Sequence, residues 1–334
     1  MTDAHLSPVW HELPALPDPE GFAGSYAGAH GGALLVAGGA NFPEKPLWEG
    51  GSKRWTDRIF VLTSPEIPWL EPALLPKPMG YGASVSLPQG VLLIGGSNAG
   101  GALDDVFLLS WDGGAVSCEP WPRLPVALTG HAAVLLGNTV YVMGGSLQPG
   151  EQDAEARMWS LSILHPESGW TEAPDLPGRG RFLYQMAEDG EAVYVLGGIG
   201  LKPGEDGHMQ RDMLTEAWRF SEKDGWQQLA DLPYPVAAAP TPAPCAGGRI
   251  ALLGGDDATV KGFTPQNHPG FHNQSLIYGI AENAWQSGGK VGAARAVLPC
   301  AVWREMAVIV NGEQKPGKRS SQVWGVALDS LANN

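Results

Sequence analysis

Near the end of the chain the run Ala307-Val308-Ile309-Val310 stops at Asn311-Gly312 and continues as Glu313-Gln314-Lys315-Pro316-Gly317-Lys318-Arg319. A β-branched run closed by an Asn-Gly breaker reads as a strand followed by its turn. The charged segment after it sets Glu313 and Arg319 six residues apart. A glutamate with restricted access to water could act as a general base if desolvation raised its pKa toward neutrality. An arginine touching it would oppose that shift, whereas one holding an anionic substrate would assist the reaction. On spacing alone, an ordinary salt bridge across a loop turn is the simpler account of the pair.

Two further arginines are singled out by position. Arg181 and Arg295 each stand sixteen residues before a breaker pair, in a slot filled elsewhere by Phe22, Met79, Leu128 and Ala238. Planar guanidinium groups entering the same end of a closed structure could clamp a carboxylate. The alternative is a structural arginine bonding loop carbonyls; the two readings balance for Arg181, and the structural one is favoured for Arg295. The remaining loop charges are Glu44, Lys45, Glu49, Lys53 and Arg54; Glu205, Asp206, His208 and Arg211; Asp256, Asp257, Lys261, His268 and His272; and Lys315. Most of these read as solvated surface charges.

The elements that must position these groups are set out by a repeat. An apolar run closed by paired small residues recurs at Leu35-Val36-Ala37-Gly38-Gly39, Leu92-Leu93-Ile94-Gly95-Gly96, Tyr141-Val142-Met143-Gly144-Gly145, Tyr194-Val195-Leu196-Gly197-Gly198, Leu252-Leu253-Gly254-Gly255 and Ile309-Val310-Asn311-Gly312, with spacings of 49 to 57 residues. A second marker keeps step with it, an aromatic followed six residues later by an aliphatic: Trp10/Leu16, Trp69/Leu75, Trp170/Leu176, Trp226/Leu232 and Trp285/Val291, with Cys118/Leu124 in the remaining slot. The marker precedes the next breaker by 26 to 28 residues every time. A third apolar stretch lies between each breaker and the following marker, so each unit reads as four short strands, the size of a propeller blade.

The expected fold is therefore an all-β six-bladed propeller forming a single domain over 1–334, with repeat cores ending near 39, 96, 145, 198, 255 and 312. Residues 1–16 carry a surplus marker and are expected to complete the last blade, which removes its free edge. The breaker loops should gather on one face. The long ones, Ala40 to Thr56 and Asp256 to Gln274, are where a site is expected.

Composition limits the partners. The 334 residues include 46 Gly and 29 Pro with a net charge of -14. That balance argues against a nucleic-acid backbone or an anionic membrane, both of which need a basic face. A small anionic ligand in a local basic pocket stays open. No secretory signal is legible at the start and no apolar run approaches a membrane span, so a cytoplasmic location is expected. Cys118, Cys245 and Cys300 are scattered without metal-type spacing, and read as buried thiols. No metal or organic cofactor is called for, and a homodimer is the assembly entertained.

The breaker pair combined with the tryptophan marker resembles the Kelch repeat, whose propellers include both enzymes and binding scaffolds. The segment Asn311 to Arg319 resembles the active-site segment of the bacterial N-acetylneuraminate epimerases, the sialic acid mutarotases, which are six-bladed Kelch propellers. Further matches are Gly21-Phe22-Ala23-Gly24-Ser25-Tyr26-Ala27-Gly28, Val36-Ala37-Gly38-Gly39-Ala40-Asn41-Phe42, Trp48-Glu49-Gly50, Tyr81-Gly82-Ala83-Ser84-Val85-Ser86-Leu87-Pro88 and Gly197-Gly198-Ile199-Gly200. The resemblance implies Glu313 as proton acceptor and Arg319 as its catalytic partner, with Arg181, Asn41, Glu49 and Tyr81 as substrate-binding residues. It implies interconversion of the α and β anomers of N-acetylneuraminate or a related 2-keto sugar acid. Blade order departs from the family, as in a circularly permuted, cytoplasmic member, and the first breaker loop differs from the family's. The competing class is a non-enzymatic Kelch module that docks a protein or glycan. Hydrolysis of the sialidase type needs an arginine cluster with a tyrosine nucleophile, and only isolated residues such as Tyr81 and Tyr184 are present. Copper-radical oxidation is disfavoured, because Cys118 fills a tryptophan slot.

Overall fold

A computed structural model describes residues 8–150, 153–205 and 207–332. The first seven residues of the expected closing segment, and Asp206 of the charged loops, lie outside the described residues. Six four-stranded antiparallel sheets form the blades of a propeller. In the first blade, for example, Tyr26–His30 pairs with Ala33–Ala37, which pairs with Arg58–Leu62 and then Leu70–Leu74. The last blade is completed by the other end of the chain: Trp10–Leu13 lies antiparallel to Val323–Ala327, with Trp10 opposite Val326. The ring therefore closes as the surplus marker implied, and its last sheet gains a fourth strand.

Each repeat marker has a mechanical reason. Both residues of all six breaker pairs have positive φ, from Gly38 at 61° and Gly39 at 101° to Asn311 at 63° and Gly312 at 88°. Glycine enters this region without a Cβ penalty, and asparagine tolerates it better than most. The reversal lets the next residue turn inward and bridge the entry to its own sheet, as Ala40 does with Ala23 and Glu313 with Ala296. The tryptophan markers tie blades together. The indole N–H of Trp69 donates to Pro14 O, Trp170 to Pro122 O, Trp226 to Pro174 O and Trp285 to Ala230 O, at 2.7 to 2.8 Å. Cys118, in the odd slot, has no such donor. The aliphatic partners Leu16, Leu75, Leu124, Leu176, Leu232 and Val291 are all buried.

At the axis the six blades are joined by a closed girdle of backbone hydrogen bonds. Gly24 N–H donates to Val297 O, Val297 to Ala238 O, Ala238 to Leu183 O, Leu183 to Gly130 O, Gly130 to Tyr81 O and Tyr81 to Gly24 O, all at 2.6 to 2.9 Å. Every member has a positive φ, although only two are glycines. This girdle forms the floor on which the site is built.

Candidate active site

Above the girdle, one mouth of the axis opens into a cavity of about 410 Å³. Its wall carries the residues that follow the breaker pairs, namely Ser97, Ser146, Ile199, Asp256 and Glu313, with Tyr81 at the floor and Lys53, Trp55, Arg211, Phe263, His268 and Phe271 from the long loops. Four of the six blades thus send a charged or titratable loop residue to one space. The volume falls within the range of small-molecule sites.

Glu313 and Arg319 reach this mouth on a hairpin. Glu313–Lys315 pairs with Lys318–Arg319, and the two residues of interest are direct register partners. Gly317, at φ 82°, makes the turn. Cross-strand partners lie side by side on one face, and Arg319 Nη1 stands 2.6 Å from Glu313 Oε1. Arg319 is 5% exposed and is pinned by Ala40 O, which accepts from Nε, by the face of Phe42, and by Tyr81 Oη, which accepts from Nη2 at 3.2 Å. Burial pushes the Glu313 pKa above the ordinary carboxylate value, against the opposing pull of Arg319, Lys53, a backbone N–H at Gly317 and Arg211. The base can therefore accept a proton more readily than a solvated glutamate.

Of the other expected site residues, Tyr81 alone lines the cavity. Arg181 is fully buried and stays inside its own blade: Gly197 O and Glu216 O accept from its guanidinium, and Glu216 Oε2 lies 2.7 Å away. Asn41 is 6% exposed and donates to Asp18. Glu49 sits in the exposed short helix Leu47–Glu49 of the first loop. None of these three faces the cavity, and the substrate-binding roles expected for them find no support in their positions. Arg295 is likewise structural, bonded to Ser320 Oγ, Gln322 Oε1 and Ala294 O.

Arg319 contacts Glu313 and Tyr81, both of which line the cavity, and is not itself among the lining residues. The cations on the cavity wall are Lys53, whose Nζ lies 4.7 Å over the Tyr81 ring, and Arg211. Both stood in the sequence inventory only as ordinary loop charges. The aromatic lining of Trp55, Phe263 and Phe271 was not anticipated. These residues sit at irregular places in long loops, where no spacing marks them.

Fold and site together define a six-bladed β-propeller with a paired glutamate and arginine at one mouth, beside a cavity whose wall carries Lys53 and Arg211. Comparison with known proteins narrows the class. Residues 4–118 match the family model described as "NANM: N-acetylneuraminate epimerase". The chain is 41% identical over 234 residues to the N-acetylneuraminate epimerase of Haemophilus influenzae (strain 86-028NP), a match covering 62% of this chain and 59% of that protein. It is 38% identical over 126 residues to the corresponding epimerase of Brucella suis, covering 33% and 32%. The matches thus span between about a third and three fifths of these relatives' lengths. A solved structure titled "Structure of YjhT" superposes with a TM-score of 0.70 at 16% identity, covering 93% of this chain and 95% of that one, and shares the fold. The resemblance read from the motifs is thereby found independently in sequence.

Proposed function

We propose that this protein interconverts the α and β anomers of N-acetylneuraminate or a closely related 2-keto sugar acid. The observation that carries the reading is the Glu313 carboxylate, held at the mouth of the axis with its pKa raised by burial and with Lys53 and Arg211 on the same wall. The similarity to proteins named N-acetylneuraminate epimerase supplies the substrate class. Lys53 and Arg211 hold the sugar's carboxylate, and Glu313 takes the proton of the anomeric hydroxyl. The hemiketal opens to the keto form, rotation presents the other carbonyl face, and reclosure returns the proton. A proton transfer of this kind contributes about 10²–10⁴-fold. Arg319 acts as a positioning residue that fixes the carboxylate's direction.

The expected change in blade order is kept as part of this proposal, because a single collinear match reaches only 62% of the chain. A closed ring tolerates a moved cut point, since its contacts are unchanged. The deciding experiment follows freshly released α-N-acetylneuraminate by NMR with and without the protein. Faster approach to the anomeric equilibrium supports the reading; an unchanged rate at high protein concentration refutes it and leaves the docking-module alternative.

A further inference from the structure

We propose that Tyr81 is the proton donor to the ring oxygen of the sugar, working opposite Glu313, with both groups held on the single guanidinium of Arg319. This inference rests on the anomer-interconversion reading. Opening a hemiketal involves two oxygens on one carbon: the anomeric hydroxyl must lose a proton and the ring oxygen must gain one. Arg319 presents a matching pair. Its Nη1 stands 2.6 Å from Glu313 Oε1, and its Nη2 donates to Tyr81 Oη at 3.2 Å. One guanidinium thus contacts both a carboxylate and a phenol, on its two separate Nη nitrogens. Because the phenol oxygen accepts from Arg319, its own hydrogen can be donated into the cavity that Tyr81 lines.

Tyr81 is also held in place more firmly than a wall residue requires. It belongs to the axial girdle, with φ at 62°, where the equivalent positions carry Gly24, Gly130, Leu183, Ala238 and Val297. It is the only titratable side chain among the six. Lys53 Nζ lies over its ring and Trp55 meets it edge-on, with centroids 6.5 Å apart. On the remaining side Gly24 leaves room for the ring, since a Cβ there would lie 2.7 Å from Tyr81 Cδ1.

The step balances without a co-reactant. The anomeric O–H gives its proton to Glu313, and the O–H electron pair becomes the second bond of the ketone. The ring C–O bond breaks with its pair on the ring oxygen, which takes the proton from Tyr81 Oη. The phenolate is held by Arg319 Nη2. On reclosure the sugar hydroxyl returns its proton to the phenolate and attacks the opposite carbonyl face. The new anomeric oxygen then takes its proton from Glu313, and both residues end as they began.

The test measures the anomerisation rate of N-acetylneuraminate against pH for the wild-type protein and for Tyr81→Phe. The expected result is a fall in kcat of about 10²-fold or more, little change in KM, and loss of the alkaline limb of the profile. A tyrosine analogue of lower phenol pKa at position 81, which preserves the ring's packing, should shift that limb to lower pH. An active wild type with Tyr81→Phe at full kcat, or an alkaline limb unmoved by the analogue, overturns the role of Tyr81 while leaving the proposed function standing. An inactive wild type removes both.

Discussion

Glu313 lies 2.6 Å from the guanidinium of Arg319, yet its pKa is raised rather than lowered. An adjacent cation ordinarily favours the carboxylate. Here the carboxyl is enclosed by the hairpin, the girdle and the loops, and the loss of water outweighs the attraction of Arg319, Lys53 and Arg211. A salt bridge and a general base are therefore compatible descriptions of one side chain.

That balance gives a prediction with two readouts. Glu313→Gln should slow anomer interconversion by about 10²–10⁴-fold. The same variant should be no less stable than the wild type at neutral pH, because the site favours the neutral carboxyl. A raised folded-state pKa means that the stabilising contribution is complete below the unfolded value of 4.5 and declines as pH rises through the folded value. Thermal melts at several pH values, alongside NMR rates, check both; a large loss of stability at pH 7 would contradict the assignment of burial as the dominant cause.

The wild-type rate should fall as pH drops through the raised Glu313 pKa, because only the carboxylate can accept the anomeric proton. Glu313→Gln should lack this acid limb. Arg319→Lys should lose rate as well, since a single ammonium cannot hold two oxygens in a fork. A pH series of rates for the three proteins is the measurement.

Lys53 and Arg211 are assigned to the substrate carboxylate. Lys53→Met should raise KM about ten- to a hundredfold, the range for one charge-assisted hydrogen bond of about 1.5–3 kcal/mol. Its kcat should change less. The same split is expected for Arg211→Met, while Arg181→Met should instead lower stability by removing the buried guanidinium that bonds Gly197 O, Glu216 O and the Glu216 carboxylate. Substrate titrations and melts separate the two patterns.

His131 supplies a pH dependence unrelated to catalysis. It is buried, with its Nε2 3.0 Å from Ile94 O, and desolvation pushes its pKa down to about 4 from 6.5. A depressed histidine contributes stability that is present above the unfolded value and is lost as pH falls toward the folded one. At about 1.4 kcal/mol per pKa unit the loss approaches about 3 kcal/mol near pH 4. Denaturant titrations from pH 7 to 4 should show this slope in the wild type and a flatter one in His131→Gln.

Deleting residues through Leu16 removes the strand Trp10–Leu13 and the buried side chains of Leu13 and Leu16. Burial of two leucines alone is worth about 3–6 kcal/mol, and the last blade regains a free edge. The truncated chain should melt well below the full chain and aggregate more readily. A melt coincident with the full chain would count against closure as a major source of stability.

Much of this was legible in the residues themselves. The Gly-Gly pairs fix the blade register because few other residues enter two consecutive left-handed positions. The tryptophans recur because the indole N–H reaches a carbonyl of the neighbouring blade, as those of Trp69, Trp170, Trp226 and Trp285 do. Sequence spacing misjudged one slot: in the fifth blade Val236, rather than Ala238, accepts from the breaker's second glycine, as Gly198 N–H shows. A two-residue insertion shifts the count without disturbing the girdle.

The chain's own order of residues determined the six blades, the closing strand, and the adjacency of Glu313 and Arg319, since all three follow from local backbone preferences repeated along the chain. Tertiary structure alone decided which charges meet. Arg181 turned into its own blade while Lys53 and Arg211, from loops of different blades, met Glu313 at the axis. The raised pKa and the shared guanidinium between Glu313 and Tyr81 depend on enclosure from several directions, and enclosure exists only once the ring has closed.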